Sequence, residues 1–274
     1  MSDLMNTFRG FFPSSFHASG LITAFMFLIC LAAAQSASAA TITVNSAADT
    51  FTNGDGQCTL RKALANANEN YRVFTDCVVG SSGADTIIFT AALANRTITL
   101  GTELGIKDHL TINAQSAPGL SVSGNNRTRV FRIFPSTVVM NGFRITGGNE
   151  VGTIGIGGGG IFNNGNLTLN NMVIEGNTVN GLGGGVYTSP ARSLTINGGS
   201  IRGNTANQGG AIYGENGTTP TPIAIILTNV TVSGNVAGGS GGGIYATGGT
   251  IDITGGSVTG NTATNQDGGE LQVW

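Results

Sequence analysis

The sequence contains few charged residues. Asp, Glu, Lys and Arg together make up only 9% of the 274 residues, and the formal net charge is −2 with a pI of about 5.6. Proteins that bind nucleic acid through its phosphates carry a strongly basic face, which this composition does not supply. We therefore predict no nucleic-acid partner.

Residues that bind metals or act as nucleophiles are also scarce. The chain has three cysteines and two histidines, and no CxxC pair occurs. A zinc site needs clustered His and Cys ligands, and a glycosidase needs paired carboxylates. The acidic residues after residue 149 are scattered, no two of them adjacent: Glu150, Glu175, Glu215, Asp252, Asp267 and Glu270. We predict no metal site, no cofactor and no catalytic residues, with a polysaccharide-active enzyme as the alternative.

Glycine, by contrast, is abundant, with 45 residues. Many of them belong to a sequence motif that occurs four times after residue 157. The motif is a glycine run, Ile or Val, an aromatic residue, and then a β-rich stretch that ends in Gly-Asn. The aromatic residues are Phe162, Tyr187, Tyr213 and Tyr245, and the asparagines are Asn177, Asn204, Asn235 and Asn261. The asparagines recur every 26 to 31 residues, so one structural unit sets the period.

Repeats of this length cannot bury a hydrophobic face alone and must stack on their neighbours. Aligning the copies places apolar residues in columns two positions apart, which is the period of a β-strand. These columns are Leu167, Leu194, Ile225 and Ile251; Leu169, Ile196, Leu227 and Ile253; and Ile174, Ile201, Val232 and Val258. Two or three strands per turn predict an all-β fold, a parallel β-helix or solenoid, with its repeats in residues 101–274.

The same stacking predicts an asparagine column and an aromatic column. We expect the four asparagines to form a structural ladder, in which each side-chain amide bonds the equivalent group one coil away. The four aromatic residues directly follow Ile or Val, and neighbours in a strand face opposite sides. Aromatic side chains that face out would form a possible ligand-binding strip for sugar rings or a partner protein. Side chains that face in would be core, and the sequence leaves both interpretations open.

Two charged patterns have plain structural interpretations. Arg127, Arg129, Arg132 and Arg144 are interleaved with apolar residues. We interpret them as a solvated strand face, with an anionic-glycan site as the alternative. Glu175 stands in a column otherwise held by residues of other types, which indicates a variable, solvated position.

Residues 1–40 have the pattern of a signal peptide. Leu21 to Ala34 is apolar apart from Thr23, and Ala37–Ala39 has the small-x-small pattern of a signal peptidase site. The apolar run is shorter than the ~20 residues that a bilayer requires, so we predict no transmembrane anchor. Export would remove Cys30 and leave Cys58 and Cys77 as a pair, which predicts a disulfide.

Residues 41–100 are predicted to form an N-terminal cap. Within them, Leu60, Ala63, Leu64 and Ala67 recur at helical spacing, and Thr59 is a suitable N-cap. The open end of a β-helix exposes unpaired strand groups. A short amphipathic helix laid across that end and stapled by Cys58 would cover it.

The same stretch resembles the CSLREA-type N-terminal motif of secreted bacterial proteins. Cys58, Leu60, Arg61 and Ala63 match that motif, while Thr59 replaces its Ser and Lys62 replaces its Glu. The later GGAI-type and Gly-Asn phrases are similar to repeats of bacterial polymorphic outer-membrane proteins. The resemblance implies a right-handed coil and a secreted, cell-surface or outer-membrane location, and it implies no agreed enzymatic activity.

These patterns favour an exported, non-catalytic β-helix with a structural, adhesive or ligand-displaying role at the bacterial surface. Its expected partner is a glycan or a host or cell-surface protein, and the alternative is a pectate-lyase-like lyase or hydrolase. The chain stops at Trp274, soon after Gly268, where another coil would open. We expect either a truncated repeat array or a last edge that pairs with a second chain, end to end.

Overall fold

The computed structural model describes residues 39–150, 157–217, 222–265 and 268–273. The chain divides into two units, and these residues belong to the second, Ala39–Trp274. The predicted signal peptide, residues 1–40, lies outside the described residues apart from its last two positions, and so does Cys30. Export by this segment therefore stays a prediction.

The described residues form 25 strands, numbered β1 to β25 in chain order, in three sheets. The longer file of the first sheet is β1 (Thr41–Val44), β2 (Asp85–Phe89), β5 (Leu110–Asn113), β8 (Thr137–Asn141), β12 (Asn166–Glu175), β15 (Ser193–Arg202), β18 (Ala224–Thr228) and β22 (Thr250–Thr254). Its shorter file is β3 (Thr97–Thr99), β6 (Ser121–Ser123), β9 (Arg144–Thr146), the second halves of β12 and β15, β19 (Thr231–Ser233) and β23 (Ser257–Thr259).

The second and third sheets each contain a single file of strands. The second consists of β4 (Leu104–Ile106), β7 (Phe131–Ile133), β11 (Ile161–Asn163), β14 (Val186–Thr188), β17 (Ile212–Gly214), β21 (Ile244–Ala246) and β25 (Leu271–Val273). The third consists of β10 (Asn149–Glu150), β13 (Thr178–Val179), β16 (Thr205–Ala206), β20 (Val236–Ala237) and β24 (Thr262–Ala263).

The chain returns to each sheet one layer further on, and neighbouring strands pair in parallel. The longer file of the first sheet makes seven such steps from β1 to β22. This topology is a parallel β-solenoid of about seven turns, which confirms the predicted fold class. The period follows from the circuit through three sheets, because each layer must carry the same strands and corners.

The apolar columns inferred from the sequence lie in register. Leu167 pairs with Leu194 and Leu194 with Ile225, while Ile174 pairs with Ile201 on the other side of a corner. These side chains are buried in one continuous core that runs through all the layers. Since the inward positions alternate with outward ones, each strand contributes its apolar face to the core and its polar face to the outside.

An insertion between β1 and β2 contains the helix α1, Leu60–Glu69. Thr59 caps the helix by accepting a hydrogen bond from the backbone N–H of Lys62 at 3.2 Å, and Asn70 ends it with a left-handed φ of 56°. The apolar face of α1 packs against β1, β2 and β4, which are strands of the first layers. A short 3₁₀ helix, Ala91–Leu93, follows β2.

The Cys58–Cys77 disulfide closes the loop that contains α1. The two Cα atoms are 4.9 Å apart, and both side chains are buried. The predicted disulfide is therefore confirmed.

Candidate functional surfaces

The four repeat asparagines lie one above another inside the turn that follows each positive-φ glycine. Asn204 shows the pattern completely. Its Oδ1 accepts hydrogen bonds from the backbone N–H and the side-chain amide of Asn177, at 3.0 and 2.9 Å. Its Nδ2 donates to Oδ1 of Asn235 at 2.9 Å and to the carbonyl oxygen of Ile174 at 3.0 Å. Every hydrogen-bonding position of this buried amide is filled, which fixes the turn in each layer.

The two ends of this asparagine column use other residues. At the N-terminal end the backbone N–H of Gly148 donates to Oδ1 of Asn177 at 2.8 Å. Gly148 thus stands where the other layers have an asparagine, and it contributes only its backbone N–H. At the other end, Glu270 Oε2 accepts from Nδ2 of Asn261 at 2.7 Å. Glu270 therefore supplies the acceptor that an asparagine supplies in the other layers.

The aromatic column also lies in register, with Phe162 beside Tyr187, Tyr187 beside Tyr213, and Tyr213 beside Tyr245. The rings stack with centroids 4.9, 5.8 and 5.2 Å apart. They face away from the main core, which contains the preceding Ile or Val of each copy. Yet the three tyrosines are only 6 to 9% exposed. The column is thus outward-facing and largely covered, an outcome between the two interpretations that the sequence leaves open.

The ring faces between neighbouring members of this column are occupied by one another. The guanidinium carbons of Arg129 and Arg132 each lie 5.2 Å from the ring centroid of Phe162, so cations contact the first ring. A sugar that stacks on an aromatic residue requires a free ring face. Within the described residues, stacking covers the ring faces between neighbours and leaves the ring edges and hydroxyl groups outside the stack, and the ligand-binding strip stays a prediction.

The hydroxyl groups of Tyr187 and Tyr213 stay protonated. Burial, together with the nearby Glu215, raises the pKa of Tyr213 to about 12. Burial also raises the pKa of Tyr187, whose hydroxyl donates a hydrogen bond to the Glu215 carboxylate. Tyr187 is thus a neutral hydrogen-bond donor at physiological pH, because ionisation would place a negative charge beside that carboxylate.

The interpretation of the arginine cluster as a solvated strand face is wrong for Arg129. Its side chain is 1% exposed and donates to the carbonyl oxygens of Gly157 and Gly158 at 3.1 and 2.9 Å. It also pairs with Glu103 at 2.9 Å and with Glu150. The sequence does not reveal this role, because Arg129 meets partners from other coils that stand far away along the chain.

Lys62, one of the two residues at which this stretch differs from the CSLREA-type motif that it resembles, is a fully buried cation. Its Nζ contacts Asp55 Oδ1 at 2.6 Å, Asp76 Oδ2 at 3.0 Å and the carbonyl oxygen of Gln57 at 2.9 Å. Burial alone lowers the pKa of Lys62, but hydrogen bonds to the two carboxylates raise it overall. Hydrogen bonding to Lys62 holds the pKa values of Asp55 and Asp76 below their usual range. The ammonium group thus organises the loop closed by the disulfide.

The interpretation of Glu175 as a solvated residue is also corrected. Its Oε1 pairs with Arg144 at 2.8 Å, and its Oε2 pairs with two nitrogens of Arg202 at 2.6 and 2.7 Å. Glu175 and Arg202 line an open groove of about 540 Å³ together with Thr146, Gly176, Gly203, Ser233 and Gly234. The groove crosses several layers at the corner between the first and third sheets.

The acidic residues of the repeats serve separate partners. Glu150 pairs with Arg129, Glu175 with two arginines, and Glu215 with a tyrosine. Among the described residues, no group of three or more His, Cys, Asp or Glu side chains is arranged to hold a metal ion. In the same part of the chain, no helix has the length and apolar character required to cross a membrane.

Part of one coil of the solenoid matches a known repeat. Residues 229–247 match the Chlamydia polymorphic membrane protein (Chlamydia_PMP) repeat. The matched segment includes β19, β20 and β21, and it contributes Asn235 to the asparagine column and Tyr245 to the aromatic column. The match covers a small part of the chain. No curated protein and no solved structure matches this chain.

The matched coil is not exceptional within the fold. The strand pairings place Ser233 beside Arg202, Ile244 beside Ile212, and Tyr245 beside Tyr213. The hydrogen bonds of the asparagine column extend the same equivalence to three other layers. The repeat that matches in one coil is therefore a structural unit of several coils.

Proposed function

We propose that this chain is an exported bacterial surface protein with a structural, adhesive or ligand-displaying role and no catalysis of its own. The observation that carries the proposal is the match of one coil to a polymorphic membrane protein repeat, whose asparagine and aromatic positions recur in register along the stack. A solenoid of stacked coils presents a long surface on a rigid support. Such a surface suits display or adhesion.

The disulfide supports an extracytoplasmic location. Disulfides persist in oxidising compartments and are rare in the reducing bacterial cytoplasm. The loop between Cys58 and Cys77 also contains the buried Lys62 and one of its two carboxylate partners, Asp76, so the geometry of this ion pair depends on closure. We propose that residues 1–40 direct export and that the disulfide forms afterwards.

We also propose that α1 caps the first layer of a right-handed coil. Support for the cap comes from the apolar face of α1, which lies against strands of the first layers, and from β1, which pairs with β2 alone among the described strands. Support for the handedness comes from the strong general preference of parallel crossover connections for the right-handed form. A covered first layer would prevent edge-to-edge association at that end.

Export has a direct test. The full chain is expressed in a Gram-negative host, and the product is fractionated and sequenced from its N-terminus. We expect a mature chain that begins near Ala40 outside the cytoplasm, with Cys58 and Cys77 resistant to thiol-blocking reagents until they are reduced. Recovery of the intact chain in the cytoplasm with two free thiols in this pair would contradict the proposal. In the source bacterium, added protease should cleave the protein on intact cells.

The alternative function is a polysaccharide-active enzyme, which other proteins of β-helix architecture exemplify. Incubation of the purified mature chain with pectins and alginates distinguishes the two. The proposal expects neither unsaturated products nor new reducing ends, because the acidic residues of the described coils serve separate partners. Either kind of product would establish the enzyme instead.

A further inference from the structure

The corner between the first and third sheets forms a groove with a floor of glycines. Gly176, Gly203 and Gly234 adopt φ values of 62°, 59° and 63° in successive layers. A Cβ atom added at Gly203 or Gly234 would meet no other atom within 4 Å, so the space above the floor is open. Each glycine immediately precedes a buried asparagine of the ladder. The buried asparagines therefore fix the backbone of these glycines, and no side chain covers their open side.

Glu175 and Arg202, which line the groove, form a three-membered ion-pair group with Arg144, which lies beside the lining residues. Glu175 lies between Arg144 and Arg202, and each of its carboxylate oxygens contacts one of the two arginines. Two guanidinium groups and one carboxylate leave one net positive charge. Glu175 restrains both arginines, yet about half of each arginine side chain stays exposed. Their remaining N–H donors are thus oriented before any ligand arrives, which lowers the entropic cost of binding.

The two arginines reach the Glu175 carboxylate from different layers of the stack. Arg144 lies in the layer before Glu175, and Arg202 lies in the layer after it. The backbones of the two arginines are two layers apart, but their guanidinium groups lie closer together because both contact the Glu175 carboxylate. A guanidinium group binds carboxylate or sulfate through paired N–H donors. The hydroxyl groups of Thr146 and Ser233 line the same groove and can bond neutral ligand hydroxyls.

We propose, on the basis of the display function above, that this groove binds a linear acidic polysaccharide along the axis of the stack. The bare glycine floor accommodates an extended chain, and the two arginines bind its negative groups through the N–H donors that Glu175 leaves free. The aromatic column does not line the groove and takes no part in this binding. The ligand is held by charge and hydrogen bonds, so its binding weakens as salt screens the arginines.

The glycine floor supplies a matched pair of variants for the test. Gly203 lines the groove, whereas Gly260 occupies the equivalent turn in a later layer that does not line it, with a φ of 65° and open space around it. Asparagine tolerates this backbone conformation, as Asn125 and Asn171 show at 56° and 50° in this chain. Gly203→Asn therefore fills the groove, and Gly260→Asn places the same side chain outside it.

Binding is measured with the purified mature chain and its variants on immobilised heparin, polygalacturonate and dextran. We expect binding to at least one of the two acidic polymers and none to neutral dextran. Heparin and polygalacturonate separate sulfate from carboxylate recognition. Arg202→Gln and Arg144→Gln should each weaken binding about tenfold, since each removes hydrogen bonds to a charged group. Gly203→Asn should weaken it similarly, and Gly260→Asn should leave it unchanged.

Three results would overturn the groove proposal: no binding to either acidic polymer, equal binding to dextran, or unchanged affinity in both arginine variants. Circular dichroism and thermal unfolding establish that the glycine variants are folded. Should Gly203→Asn fail to fold, the two arginine variants still decide, because their side chains extend into solvent. An exported chain that binds no acidic polymer would refute the groove while leaving the proposed surface role intact.

Discussion

Replacing Asn204 by alanine is expected to lower the free energy of unfolding by about 3 to 5 kcal/mol, because buried groups that lose a hydrogen-bond partner each carry a desolvation cost. The substitution removes the partner of the Asn177 backbone N–H and of the Ile174 carbonyl oxygen, and it breaks the column on both sides. Urea unfolding followed by circular dichroism measures the loss. Hydrogen exchange at Asn177 and Asn235 should show faster opening of the adjoining layers.

Asn197→Ala is the matched control for this prediction. Asn197 lies in the same layer and also bonds an asparagine of the neighbouring layer, with its Nδ2 2.9 Å from Oδ1 of Asn170. Its side chain is exposed, so water replaces the lost partner, and the expected cost is below about 1 kcal/mol. Equal losses in the two variants would show that the buried column does not stabilise the turns.

Removing the disulfide through the double substitution Cys58→Ala and Cys77→Ala is expected to cost about 3 kcal/mol in the chain-entropy model. The bond joins residues 19 positions apart and restricts the unfolded chain, so its loss favours the unfolded state. The open loop also releases the segment that carries Asp76, a partner of Lys62. A shift of the urea midpoint in the variant measures the effect.

Reduction provides the control for the disulfide prediction. Dithiothreitol should lower the urea midpoint of the natural chain by about as much as the double substitution does, and it should leave the midpoint of the variant unchanged. A variant as stable as the natural chain would show that the packing of α1 against β1, β2 and β4 holds this region without the covalent bond.

The sequence was sufficient to predict the solenoid because the repeats have regular spacing. Leu167, Leu194 and Ile225 could be aligned without a structure, since each is followed by its Gly-Asn at nearly the same distance. The helix in residues 60–69 was predicted from its apolar spacing and its threonine cap. The disulfide followed from counting the cysteines that export would leave. All of these are local or periodic signals.

The ion pairs were not predicted, because they join residues from different layers. Arg129 alternates with apolar neighbours like any surface residue, and only the fold shows that Glu103 and Glu150 contact it. Glu175 appeared variable for the same reason, although Arg202 stands directly beside it in the next layer. Aligning the repeat copies already places Glu175 and Arg202 at equivalent positions of adjacent copies. Their opposite charges were therefore a signal of this ion pair in the sequence.

The direction of the aromatic column was undetermined for a different reason. Alternation along a strand assigns opposite sides to Ile212 and Tyr213, but both types of residue are suitable for a core. The structure places the isoleucine in the main core and the tyrosine in a separate stack. Stacking between layers covers the rings. The alternation pattern of the sequence does not show how much of each ring's surface this stacking buries.

The central claim is that distance along this protein is set by the number of layers and not by the number of residues. Thr43, Asn197 and Thr254 stand in one column of paired positions, five and seven layers apart from Thr43. Nitroxide labels are introduced through Cys in the pairs Thr43/Asn197 and Thr43/Thr254, with Cys30 replaced, and are measured by double electron–electron resonance. The stacked coils predict narrow distance distributions centred near 24 and 34 Å, at about 4.8 Å per layer. Broad distributions, or equal distances for the two pairs, would contradict the solenoid.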